Sequence, residues 1–169
     1  MMLHGVLMRP CSTRVVVALR AKLGDFSSIV CFKAVVVGCE ETLGAGAAGV
    51  ALKSAGRKRG HSLVASLGLT GARPAPESIA KTLDAAIGAE GTRLCAVDAV
   101  ERVGDDFVVR LSETVCSAGE PLGSDRQLTF TLGAVHGAME ALYGVKLRGK
   151  QTESVLRGGT HDVVTLTPA

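Results

Sequence analysis

The chain has 169 residues and a formal net charge of +3; hydrophobic residues make up 47% of it, charged residues 21% and aromatic residues only 3%. This length predicts one domain, with a core built from Ala, Val and Leu. The mild charge and the few aromatic side chains argue against a single-strand nucleic-acid platform, so we predict no nucleic-acid partner. Five cysteines without a C-x-x-C pair argue against a disulfide framework and favour a cytoplasmic location.

We predict an N-terminal segment over residues 1–27 and a single domain over residues 28–169. The segment is rich in cations and its first 24 residues contain no acid, a composition typical of organellar transit peptides, although residues 15–19 can equally begin the fold. Lys33 and Glu40 interrupt the longest apolar run before it reaches the ~18 uncharged residues that a membrane span needs. We therefore predict no integral membrane segment. The cations of the segment are Arg9, Arg14, Arg20 and Lys22.

Helices are predicted through the first half of the chain. Residues 27–43 fit a helix capped by Asp25 or Ser27, although the valines at 35–37 also suit a strand. Gly44 is predicted to end this helix. Three further helices are predicted over residues 45–55, 57–67 and 77–87.

The second half of the chain has the period of strands around one helix. Two β-rich runs flank the turn at residues 104–106, and two more flank a glycine-rich turn near the C-terminus. Helices followed by hairpins predict an α+β fold, in which an antiparallel sheet of two or more hairpins packs against several helices. The predicted strands cover residues 94–103, 107–115, 146–155 and 162–167, and the helix between the hairpins covers residues 126–143.

One motif occurs twice, as E-T-V-C-S-A-G at residues 113–119 and as E-S-V-L-R-G-G at residues 153–159. Each copy follows a predicted strand, so its glutamate is expected to accept hydrogen bonds near the strand end and its glycine to supply turn geometry. Leu156 replaces Cys116 in the second copy, which prevents a symmetric thiolate site, and we predict no zinc. The potential metal ligands in the two turns are Glu113, Cys116, Glu153 and His161.

A literal G-x-G-x-x-G pattern lies at residues 44–49, where its glycines would let a backbone approach a pyrophosphate. A dinucleotide site also needs a strand directly before the first glycine and an acid about twenty residues later. No Asp or Glu occurs between Glu41 and Glu77. We therefore predict no dinucleotide cofactor and interpret the pattern as a turn between two helices.

Cations cluster at one helix end and provide the best anion-binding candidates, Arg57 and Arg59 among them. The alternative is that these cations only solvate the end of the helix, where the macrodipole favours them. The cluster comprises Lys53, Arg57, Lys58 and Arg59, with His61 close by.

The helix over residues 126–143 contains two further candidate features. His136 and Glu140 lie one helical turn apart and form a potential acid/base pair. Gly133 and Gly137 form a smooth strip beside the apolar stripe of the helix. Such a strip either packs closely against a neighbouring element or forms the wall of a slot for an apolar ligand.

Two stretches of the sequence carry a resemblance to a known family. They are A-G-R-K-R-G at residues 55–60 and T-L-G-A-V-H-G-A-M-E-A-L-Y-G at residues 131–144, and the second stretch leads into K-x-x-E-S-V-x-x-G-G. They resemble the 4-vinyl-reductase-like, or hydrocarbon-binding, domain family. The resemblance covers roughly residues 28–167. It implies a fold related to Golgi transport-particle subunits, a small-molecule-binding role and, in most members, a dimer. Family members commonly carry cysteines where this chain has Leu156 and Val164, a departure that weakens a metal or redox role.

Three functions follow from these observations. The first is a non-catalytic domain that binds a hydrophobic small molecule, such as a hydrocarbon, lipid or tetrapyrrole, in a slot between the small-residue helix faces and the sheet. The second is an accessory factor or reductase of (bacterio)chlorophyll or tetrapyrrole metabolism, with His136 and Glu140 as proton donors. The third is an oligomeric scaffold without a ligand. We expect a homodimer with residues 45–55 at its interface, and ligand contacts from Arg57, Arg59, Cys116, Gly133, His136, Gly137 and Glu140.

Overall fold

The computed structural model describes residues 28–169. The predicted segment over residues 1–27, with its four cations and the helix caps Asp25 and Ser27, lies outside the described residues. The described part folds into three helices and four strands, with a single 3-10 turn before the last strand. The elements are α1 (Ile29–Ser66), α2 (Pro76–Ile87), β1 (Ala96–Val103), β2 (Asp106–Ser112), α3 (Phe130–Tyr143), β3 (Leu147–Glu153) and β4 (Asp162–Pro168).

Helix α1 folds back on itself at Gly44, where the backbone leaves the helical region with φ 78° and ψ 150°. Val36 is fully buried in one apolar cluster with Ala48 and Leu52. In a straight helix, twelve residues would separate Val36 from Ala48 by about 18 Å. The contact therefore requires a sharp turn, and the prediction that Gly44 ends the first helix is confirmed. We call residues 29–43 the first arm of α1.

The second arm, residues 45–66, is one continuous helix. The predicted break between residues 45–55 and 57–67 is wrong, because Gly56 lies inside the helix, packed against the backbone of α3. Its missing side chain permits this approach and does not stop the helix.

Helix α1 is long and apolar enough to cross a membrane, judged by length and composition alone. It is the one helix among residues 28–169 with this property. The core helix of a soluble protein passes the same test, and the second arm of α1 packs along α3. The helix is therefore weak evidence for a membrane span.

The four strands form one antiparallel sheet in the order β1-β2-β4-β3. Each predicted hairpin is present, and β2 joins them by pairing with β4 so that Val109 lies opposite Val164. Both valines are fully buried. The structure is therefore the predicted α+β fold.

Helix α3 lies between α1 and the sheet, and all but three of its 14 residues are buried. It begins at Phe130 and not near residue 126 as predicted. The preceding segment is held in another conformation, because the Leu128 backbone N–H donates to the side chain of Gln151 on β3 at 2.8 Å. The buried stripe that the sequence predicted is thus part of a helix that is covered on nearly every side.

The two repeated motifs meet at one buried carboxylate, Asp162 at the start of β4. Thr114 and Ser117 of the first copy each donate a hydroxyl hydrogen bond to it at 2.7 Å. The backbone N–H of Val155 in the second copy donates to it at 3.2 Å. The expected acceptors, Glu113 and Glu153, are exposed, and their carboxylates accept no hydrogen bond within residues 28–169. The repeat is therefore a structural joint between the two hairpins, centred on an acid that sequence reasoning missed.

Candidate functional site

Helices α1 and α3 cross at backbone-to-backbone distance because each provides two glycines to the contact. A Cβ added to any of the four would overlap a carbonyl oxygen of the opposite helix, and at Gly137 this oxygen belongs to Arg57. The strip of Gly133 and Gly137 is therefore filled by α1, and the interpretation of this strip as the wall of a ligand slot is wrong. The four glycines are Gly56, Gly60, Gly133 and Gly137.

Beside this crossing, the carboxylate of Glu140 joins α3 to α1 and β3. It is 2% exposed and receives two hydrogen bonds of 2.6 Å from the guanidinium of Arg57. The Leu147 backbone N–H donates to it at 3.0 Å, and His61 Nε2 lies 3.1 Å away. Burial raises the pKa of this carboxyl, but the hydrogen bonds from Arg57, Leu147 and His61 outweigh it and lower the pKa to about 2.

Glu140 is therefore ionised at neutral pH, and its role as a proton donor is contradicted. The hydrogen bond to Glu140 raises the pKa of Arg57, whose Nε and Nη2 both donate to this carboxylate. His136 hydrogen-bonds the backbone oxygen of Leu147 at 2.8 Å, and its Nε2 lies 3.5 Å from Glu140. Arg57, His136 and Glu140, three of the predicted ligand contacts, therefore form hydrogen bonds that connect α1, α3 and β3.

An apolar cavity of about 370 Å³ opens on the other side of the α1–α3 contact. The two arms of α1, helices α2 and α3, and the segment before β1 form its walls. Two of the chain's four phenylalanines line it, Phe32 and Phe130, whose rings meet edge to face with centroids 4.8 Å apart. The lining residues are Ile29, Phe32, Arg59, Gly60, Leu63, Leu83, Ile87, Thr92, Leu94, Phe130, Ala134 and Ala138.

Small residues of α3 help to keep this space open. Ala134 and Ala138 line the cavity, and larger side chains at these two positions would take up part of it. Gly60 also lines the cavity but belongs to the close contact of the helices, because a Cβ there would overlap the carbonyl oxygen of Ala134. The two polar lining residues, Arg59 and Thr92, are both exposed and lie where the cavity meets solvent. The site is thus an apolar chamber with a polar mouth.

Arg59 is the one predicted ligand contact that lines this cavity. The aromatic pair of Phe32 and Phe130 was missed, since nothing in the sequence joins two residues so far apart. A weak signal for the α3 wall did exist, because Ala134 and Ala138 lie four residues apart in a helix already recognised as rich in small residues.

Among the described cysteines, Cys95 and Cys116 are buried, Cys39 is half-buried and Cys31 is exposed. Cys116 lies 3.6 Å from the Thr131 hydroxyl and does not line the cavity. Burial raises the pKa of Cys95 to about 12, so its thiol is protonated at neutral pH. Among residues 28–169 no group of three or more His, Cys, Asp or Glu side chains is placed to hold a metal ion.

The glycine pattern at residues 44–49 begins at the turn between the two arms of α1 and continues into the second arm. A helix, and not a strand, runs into its first glycine, so it lacks the local structure of a dinucleotide site. Its interpretation as a turn between helices is confirmed.

The fold is shared with known proteins, including two whose solved structures match the chain. The phenol-responsive sensory domain of the transcription activator PoxR, with phenol, superposes with a TM-score of 0.54 at 15% identity, covering 85% of this chain and 76% of that one. A trafficking protein particle complex subunit 3 from Naegleria fowleri, covalently bound to palmitic acid, superposes with a TM-score of 0.51 at 13% identity, covering 84% and 97%. The relation in fold to transport-particle subunits is thus shown. No protein-family model and no curated protein sequence matches the chain.

Proposed function

We propose that this protein is a non-catalytic module that binds a hydrophobic small molecule in the cavity beside the α1–α3 contact. The observation that carries the proposal is an apolar space of about 370 Å³ that opens to solvent and has a built aromatic wall. Ligand sites are typically concave, mostly apolar, and roughly 300–1,000 Å³ in volume. Binding would be driven by burial of apolar surface, at about 25 cal/mol per Å², offset by the loss of freedom on association.

The volume limits the size of the ligand. An apolar cavity of ~150 Å³ holds one benzene ring, so this cavity has room for roughly 12 to 15 carbon atoms. A single aromatic ring, a medium-length hydrocarbon or an acyl chain fits this limit, whereas a tetrapyrrole macrocycle exceeds it. Phenol and palmitic acid, the molecules held by the two proteins of similar fold, belong to the favoured classes.

The shared fold and the sequence resemblance together support membership of the 4-vinyl-reductase-like family, over a single domain at residues 28–169. The reductase alternative loses one of its two proposed proton donors, because Glu140 is ionised and hydrogen-bonded inside the protein. The scaffold alternative leaves the open cavity without a role. A binding module is therefore the function that we favour.

The proposal predicts that a side chain added inside the cavity weakens ligand binding. Ala134→Leu places three further carbon atoms in the chamber, and at about 0.8 kcal/mol for each CH₂ group that the ligand can no longer bury, we expect calorimetry to show 1-decanol binding more weakly by roughly tenfold or more. Ala51→Leu, at an exposed position of α1, is the matched control and should bind like the unaltered protein. Equal binding by Ala134→Leu would place the ligand elsewhere and contradict the proposal.

We also propose that the protein forms a homodimer through α1. This helix exposes large apolar side chains at Val35, Leu43 and Val50, and Val50 is 73% exposed. Val50 lies within residues 45–55, where the interface is expected, and contiguous exposed apolar surface is typical of an interface. Sedimentation velocity at micromolar concentration should show a dimer that Val50→Glu converts to monomer. A monomer at all concentrations would contradict this.

A further inference from the structure

We infer that the natural ligand carries an anionic head on its apolar body, and that Arg59 at the mouth of the cavity binds this head. The inference rests on the proposed function and specifies the ligand class. A fatty acid of medium length or an aromatic carboxylate has this chemistry.

The charge at the cavity is positive. Its lining includes one cation, Arg59, and no carboxylate. Within the described range 28–169, no acid forms an ion pair with Arg59, and no hydrogen bond engages its guanidinium. The neighbouring Arg57 is different, because both of its hydrogen bonds to Glu140 are satisfied inside the protein. Of these two arginines, Arg59 is the one that lines the cavity, and its guanidinium is not held by a carboxylate of the described residues.

The position of Arg59 suits the head of an amphipathic molecule. The residue is exposed, while Leu63, one turn later on the same helix, is buried in the chamber wall. A bound chain can thus keep its carboxylate in water beside the guanidinium while its carbon atoms lie among the apolar side chains. The planar guanidinium pairs with a carboxylate through two parallel hydrogen bonds. Thr92 supplies a hydroxyl at the same opening.

The expected contribution of this contact is modest because the site is exposed. Exposed ion pairs contribute little and are screened by salt, so we expect decanoate to bind roughly three- to fivefold more tightly than 1-decanol at low ionic strength. The two probes share the same carbon chain and differ in charge at the head.

Calorimetric titration of decanoate and 1-decanol into the full chain tests the inference. Arg59→Met should remove the preference for decanoate while leaving 1-decanol binding within about twofold, and Arg59→Lys should restore part of the preference. Lys58→Met, which removes a neighbouring exposed cation outside the cavity lining, should retain it.

Two results would overturn the inference, and a third would overturn the proposed function on which it rests. Equal affinity of the unaltered protein for the two probes would overturn it, as would an equal loss of both probes in Arg59→Met, since that would show a packing role. Failure of both probes to bind the unaltered protein would overturn the proposed function itself. Thermal melts of each variant confirm that the fold is intact.

Discussion

Gly137→Ala is expected to lower the melting temperature by roughly 6–12 °C. The added methyl group would overlap the carbonyl oxygen of Arg57, so the two central helices must separate along their whole contact. Overpacking a filled core costs up to about 3 kcal/mol, and each kcal/mol corresponds to roughly 2–4 °C for a domain of this size. Thermal melts followed by circular dichroism measure the change.

Gly46→Ala provides the matched control. Gly46 lies in the same kind of helical backbone, but a Cβ there would meet no atom within 4 Å. Alanine should therefore leave the melting temperature unchanged or raise it, because its helix propensity exceeds that of glycine by about 1 kcal/mol. If Gly137→Ala and Gly46→Ala behave alike, the close crossing of α1 and α3 is incorrect.

Glu140→Gln is expected to destabilise the fold by about 3 kcal/mol, because it removes the buried negative charge that accepts hydrogen bonds from Arg57 and from the Leu147 backbone N–H. The free energy of unfolding, measured by urea titration, should fall by this amount. Glu90→Gln, at an exposed position, should have almost no effect.

The same carboxylate predicts a pH dependence. Its folded pKa of about 2 lies below the ordinary 4.5, so its stabilisation is complete above pH 4.5 and is lost as the pH falls toward 2. At about 1.4 kcal/mol per pH unit between the two values, the loss is roughly 3 kcal/mol. The difference in unfolding free energy between the unaltered protein and Glu140→Gln should shrink over this range. A difference that stays constant down to pH 2 would contradict the assignment.

The sequence predicted the elements better than the site. Hydrophobic periods and turn residues correctly indicated the hairpins and the turn at Gly44, since these depend on neighbouring residues. Gly56 was misread, because the same residue type ends helices and permits close packing, and only the position of α3 decides between them. Glu140 was paired with His136 from helical spacing, while its dominant partner, Arg57, lies 83 residues earlier in the chain.

The cavity itself could not be predicted. Its wall joins Phe32 to Phe130 through the reversal of α1, and its volume depends on how α1, α2 and α3 pack together. Local patterns carry no such information. Arg59 was among the candidates because cations are conspicuous in an apolar sequence, not because any pattern indicated a chamber beside it.

The position of a bound apolar probe tests the central claim most directly. In crystals of the full chain grown with bromobenzene, the anomalous difference map should show one bromine peak inside the cavity, in contact with Phe130 and Ala134. In Ala134→Leu crystals prepared in the same way, the peak should be weaker or displaced, because the leucine side chain takes up the space beside position 134. A peak outside the cavity, or an empty cavity at saturating probe, would contradict the account of this protein as a hydrophobic-ligand-binding module.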